Sequence, residues 1–144
     1  MRRGMHQSDK AVLDTHVFIW LMQGSRELSS KTIKEIEGYS QQHALYLSAV
    51  SLWEIAMLEG KKRITLHQPC LQWLEKALES PGLTIETISP LIAVESSRLP
   101  GDFHADPADR IILATTRSLQ AKLITRDSKI LRYAQSGYIR CSKA

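Results

Sequence analysis

Cysteine is scarce in this chain. Only Cys70 and Cys141 occur in 144 residues, far apart, with no CxxC and no Cys/His pair at metal spacing. That excludes a disulfide-built scaffold and a structural zinc site, and points to a reduced, cytoplasmic setting. Uninterrupted apolar runs are missing as well. "AVLDTHVFIWLM" is broken by Asp14 and His16, and no small-residue cleavage site follows it. Neither a membrane span nor a signal peptide is expected. There is no Walker A loop and no GxGxxG, which argues against a nucleoside triphosphate as substrate. Internal repeats and low-complexity tracts are also absent, so a single domain over residues 10–144 is expected. Residues 1–9 read as a loose arm, with Met5 as an alternative start.

What is present suits one globular core: 43% of residues are hydrophobic and 24% charged. The net charge of +4 permits contact with nucleic acid but does not establish it. The basic turn "GKKR", with Lys61, Lys62 and Arg63, is a candidate RNA contact, although a solvated loop is its ordinary role.

Strand and helix signals alternate along the chain. Strands are expected at 10–13, within "ALYLSAV", at "LTIETI" and at "KLIT", while "KKRITL" reads as a basic turn and a short extended piece. Helices are expected at "THVFIWLMQG" with Gly24 as its stop, "SSKTIKEIEGYSQQ", "SLWEIAMLEG" and "QPCLQWLEKALES". Three more follow: "SPLIAVESSRL" capped by Ser89, "PADRIILATTRSLQ", and a final "DSKILRYAQ". The alternation implies an α/β fold with a mostly parallel sheet and helices on both faces.

The acids fall into a pattern on that frame. Asp14 follows the first strand, Glu54 lies in the first turn after the second, and Asp127 follows "LIT". Asp109 opens the helix before the last expected strand. In open α/β sheets, ligands bind beyond the carboxyl ends of the strands. Each acid alone also fits a helix cap, and Ser51-Leu52-Trp53-Glu54 matches the S-x-x-E capping box. Yet Asp14 and Glu54 have apolar neighbours and no local Lys or Arg, an expensive setting unless a cation compensates. Carboxylates meeting without His or Cys point to Mg²⁺ or Mn²⁺ and to phosphoryl chemistry on water. In "HADPADR", Asp106 precedes Pro107 and reads as the helix cap, leaving Asp109 for chemistry.

Four blocks, "VLDTHVFIW", "LSAVSLWEIAMLEGKKRITL", "LPGDFHADPADRIILATT" and "LITRDSKIL", together resemble the PIN domain, in its VapC-type toxin branch. The resemblance runs from about residue 11 to 132. It implies a PIN-like three-layer α/β/α domain and an Mg²⁺- or Mn²⁺-dependent endoribonuclease. It further implies a toxin silenced by a VapB-type antitoxin, a homodimer, and products with 3′-hydroxyl and 5′-phosphate ends. The family's four acids match Asp14, Glu54, Asp109 and Asp127. Thr125 matches a small polar residue beside the last acid, His104 and Asp106 match the branch pattern H-x-D-P-x-D-R, and Thr15 joins them as support. Ala108 departs from the bulky aromatic common at its position. The apolar "FIWLM" helix is a candidate for part of a dimer interface, with the core as its default.

Two rivals remain. One is a PIN-like protein that binds RNA without cutting it. The other is a receiver-type phospho-acceptor domain, which would want an acidic pair after the first strand and a Lys after the last, where this chain has a lone Asp14 and "TRD".

Overall fold

The computed structural model describes residues 9–103 and 106–144. The expected N-terminal arm (residues 1–8 of it) and His104 lie outside the described residues. In chain order the elements are β1 (Ala11–Leu13), α1 (Thr15–Gln23), α2 (Ser30–Gln41), β2 (Leu45–Ser48), α3 (Ala49–Gly60) and α4 (Cys70–Ala77). They continue with β3 (Leu83–Glu86), α5 (Pro90–Ser96), α6 (Pro107–Ser118), β4 (Lys122–Thr125), α7 (Ser128–Ala134) and β5 (Arg140–Lys143).

The five strands form one parallel sheet in the order β3-β2-β1-β4-β5. Side chains alternate across it as the period of two requires. Ala11 and Leu13 face one core with Leu45, Leu47 and Ile124, covered by α1, α2 and α4 through Phe18, Ile36 and Trp73. Val12 and Leu123 face the other, covered by α5, α6 and α7 through Ile92, Ile112 and Ile130. The result is the three-layer α/β/α arrangement expected. Helix α3 serves both layers, with Val50 in the second core and Ile55 and Leu58 in the first.

Strand order reverses at β1. The chain moves outward to β2 and β3, then crosses back to place β4 on the other side of β1. The loops leaving β1 and β4 therefore diverge, opening a crevice at their carboxyl ends. Thr15 and the acids of the sequence pattern gather there.

"KKRITL" holds the basic turn expected: Lys61 caps α3 and the following residues turn, with Lys62 at φ 59°, and residues 64–66 join no strand of the sheet. Two elements differ from expectation. Strand β5 escaped the sequence reading because "RCSK" is a short, half-exposed edge strand without an apolar run. Helix α3 starts at Ala49, not Ser51, with Ser48 as N-cap accepting from Val50 N at 3.2 Å. The capping box is thus not formed, and Glu54 lies in the second turn. The "FIWLM" helix takes its default place in the core, with Phe18 and Ile19 buried and Trp20, Leu21 and Met22 partly buried against the same core. Ala108, where an aromatic is common, is itself buried. No helix among the described residues is long and apolar enough to cross a membrane.

Candidate active site

Asp14 stands immediately after β1, and its backbone N–H donates to Ile124 O at 3.0 Å, which ties it to β4. Its carboxylate is buried, 9% exposed, and both oxygens are engaged. Oδ1 accepts from Thr15 N at 2.8 Å and Oδ2 from Thr125 Oγ1 at 2.6 Å. Thr125 Oγ1 in turn accepts from Asp127 N at 3.0 Å. One buried hydroxyl thus spans the crevice and fixes Asp14 relative to Asp127. Asp127 itself caps α7, with Oδ1 accepting from Lys129 N and Ile130 N.

A second hydroxyl links the next acid. Thr15 Oγ1 donates to Glu54 Oε1 across the gap between α1 and α3, and lies 2.8 Å from Ser51 Oγ. A hydroxyl has one proton, so Ser51 must donate to Thr15, giving a relay from Ser51 through Thr15 to Glu54. Ser51 was read from the sequence only as a possible cap. Its actual role depends on α3 starting at Ala49, which turns both Ser51 and Glu54 toward α1.

Asp106 caps α6, accepting from Asp109 N at 2.9 Å, while Asp109 sits in the first turn. Arg110 holds the preceding segment in place: Nε donates to Ser96 O at 2.7 Å and Nη1 to Phe103 O at 2.6 Å. The sequence showed Arg110 in the motif but not this bracing role.

Electrostatics join these groups into one site. Burial pushes the Asp14 carboxyl above its ordinary range; the Thr125 and Thr15 hydrogen bonds oppose this, and the Asp127 charge adds to it. Burial also raises Glu54, against the Thr15 hydrogen bond and with the charges of Asp14 and Asp106. Asp109 is pushed up to about 7, by burial first and then by Asp106, Asp14, Glu54 and Asp127. Like charges that mutually hinder ionisation mark a cluster short of positive charge. Among the described residues, no three acids stand close enough to grip one ion by themselves. A Mg²⁺-like cation keeps several waters and needs only one or two direct carboxylates, so the all-oxygen set fits such an ion.

The basic turn does not join the cluster. Lys61 lies seven residues beyond Glu54 on α3, a rise of about 10 Å away from the crevice. A cavity of about 240 Å³ does open beside the acids, lined by Asp14, His16, Val17, Trp20, Arg126 and Asp127. Nothing in the sequence alone marks His16 or Arg126 as part of the site, and Trp20 reads there only as part of the apolar "FIWLM" helix. The signals that could have flagged His16 and Arg126 are their places two residues after Asp14 and directly before Asp127.

A family model described as PIN domain matches residues 11–136. Ribonuclease VapC22 of Mycobacterium tuberculosis is 34% identical over 119 residues, covering 83% of this chain and 88% of that protein. A toxin-antitoxin complex from Klebsiella pneumoniae contains a chain 27% identical, with TM-score 0.58, over 83% of this chain and 88% of that one. DNA-bound VapBC from Salmonella typhimurium matches at 14% identity with TM-score 0.68, over 93% and 97%, a likeness of fold.

Proposed function

The chain belongs to the PIN-domain family, and from that premise we propose that it is a ribonuclease toxin of the VapC type, cutting RNA with a divalent metal. Mg²⁺ or Mn²⁺ is the ion that the all-oxygen donor set favours. The observation that carries the reading is the gathering of Asp14, Glu54 and Asp109 at the sheet's switch point, all three pushed toward protonation. Structural acids would be paired with cations; these share their charge with one another.

In this proposal Asp14 and Asp109 are the main metal ligands, Glu54 ligates directly or through water, and Asp127 completes the outer part of the site. When bound, the cation supplies stabilisation of phosphoryl charge and a more acidic water. Thr125 favours the ionised form of Asp14 against the effect of burial by donating to Oδ2, and links it to Asp127. Thr15, itself held by Ser51, aims the Glu54 carboxylate so that its free oxygen orients the attacking water. Asp106 and Arg110 position Asp109 by fixing the start of α6. Lys61, Lys62 and Arg63 remain candidates for an RNA flank farther from the cut. His104 is carried as a supporting residue by the motif alone.

The partner is a VapB-type antitoxin, and an Arg or Lys from it would be the natural plug for an acidic crevice. A cytoplasmic location and a two-fold homodimer belong to the same proposal. Leu91 and Val94 on α5 are exposed apolar side chains available for association, unlike Phe18 and Ile19. Expression of the chain alone should arrest growth and yield RNA fragments with 3′-hydroxyl and 5′-phosphate ends. Co-expression of the adjacent small reading frame should restore growth. Absence of both arrest and cleavage would favour the non-cutting RNA-binding rival.

A further inference from the structure

The cavity beside Asp14 and Asp127 has a wall unlike the rest of the site. Trp20 projects from α1 and is half-buried. The guanidinium carbon of Arg126 lies 4.6 Å from its ring centre. The exposed imidazole of His16, one turn earlier on α1, stands 5.9 Å from the same ring at 52°. Val17 closes the apolar side of the cavity. Planar π-systems, one held cation and an apolar side chain thus line the same cavity of about 240 Å³ as two carboxylates.

We propose that this cavity is a nucleobase subsite, in which His16, Trp20 and Arg126 stack one base of the RNA beside the scissile phosphate. The proposal rests on the ribonuclease reading and names a specificity element within it. Three features favour a base. The volume is below the ~300 Å³ at which ordinary ligand pockets begin, which suits one ring system rather than a whole nucleotide. Aromatic and guanidinium planes are the surfaces on which unpaired bases stack. Arg126 is held in its stacked pose, with Nη1 donating to Glu27 Oε1 at 2.7 Å and Nε to Ala144 O at 3.2 Å, so its plane is set before RNA arrives. Asp14 and Asp127, which line the same cavity, place the base's own phosphate next to the proposed metal site.

The three tryptophans allow a direct test without turnover. In metal-free protein, the indole N–H resonances of Trp20, Trp53 and Trp73 can be followed by NMR, with Trp20 assigned through Trp20→Phe. Nucleoside 5′-monophosphates should shift the Trp20 signal saturably. Trp73 (buried) and Trp53 (exposed, on α3) should stay put. Ribose 5-phosphate, which has the phosphate but no base, should leave Trp20 unmoved. His16→Ala, a surface change, should weaken the nucleotide response by about tenfold, the scale of one lost stacking partner. A response equal for ribose 5-phosphate, equal at Trp53, or unchanged in His16→Ala overturns the subsite. So does a Trp20 shift produced by arginine amide and by no nucleotide, which would give the cavity to a protein partner. RNA cleavage measured on the same preparation keeps the outcomes apart: cleavage without a Trp20 response removes the subsite only, whereas a preparation that neither cuts RNA nor responds removes both.

Discussion

Asp106 and Asp109 sit three positions apart at one helix start, yet their surroundings differ. Asp106 Oδ1 satisfies a backbone N–H that the first turn of α6 cannot satisfy internally. Asp106→Ala should therefore cost about 1 kcal/mol and lower the melting temperature while keeping most RNA cleavage. Asp109 lies in the field of four other acids, Asp106, Asp14, Glu54 and Asp127. Asp109→Ala relieves repulsion, so metal-free stability should hold or rise, while stabilisation by Mn²⁺ and cleavage are lost. Thermal melts with and without Mn²⁺, beside a cleavage assay, separate the two. A folded Asp106→Ala protein without activity would move Asp106 into the metal site.

The same residue sets a pH dependence. Asp109 holds its proton up to about 7 in the fold, whereas an ordinary aspartate releases it near 3.8. Between those values the folded state binds a proton that the unfolded chain has released. Its contribution is therefore fully present below about pH 4 and is lost as pH rises through 7. Asp14 and Glu54, also raised, act in the same direction. Metal-free melting temperature should fall more steeply from pH 5 to 8 in the wild type than in Asp109→Asn. Mn²⁺ should offset that fall near pH 7 and lose its hold at pH 5, where it must displace protons. Parallel pH profiles for the two proteins would contradict the raised value.

At the scale of elements, the caps decided how well the sequence could be read. Ser89-Pro90 and Asp106-Pro107 carry their helix starts openly, and both start where expected. Helix α3 does not, because Ser48 and Ser51 are both residue types that cap helices, and in the fold Ser48, the last residue of β2, is the one that caps. That three-residue difference turns Glu54 from a capping residue into a partner of Thr15. Strand β5 was illegible for another reason: an edge strand buries little, so its sequence carries no apolar signature. One turn carries a constraint that is testable by itself. Gly82, just before β3, has φ +75°, and a Cβ there would meet Ser40 O at 2.0 Å. The contact is with backbone at the end of α2, so neither side can give way cheaply. Gly82→Ala should destabilise by about 2 kcal/mol or more, lowering the melting temperature by roughly 5 °C or more. Specific activity well below that temperature should be kept, because Gly82 lies away from the acids. A melting temperature within a degree of wild type would show that the α2–β3 contact is loose.

Across the whole molecule, the fold was legible because strands buried on both faces and amphipathic helices alternate so regularly. The acids were legible as a set only once those elements put them at one sheet edge. What could not be read was contact between distant residues: Thr125 with Asp14, Ser51 with Thr15, and Arg126 with Trp20. Each joins segments dozens of residues apart, and no local pattern encodes such pairs. The central claim is that this edge, with Asp14 at its centre, cuts RNA by a divalent metal. It is tested most directly by comparing wild type with Asp14→Asn on a mixed RNA pool in Mg²⁺ or Mn²⁺, with chelator as control and melting temperature measured alongside. Cleavage by the wild type that chelator stops, and its loss in an Asp14→Asn protein that still melts cooperatively, is the expected result; cleavage undiminished in Asp14→Asn would contradict the site.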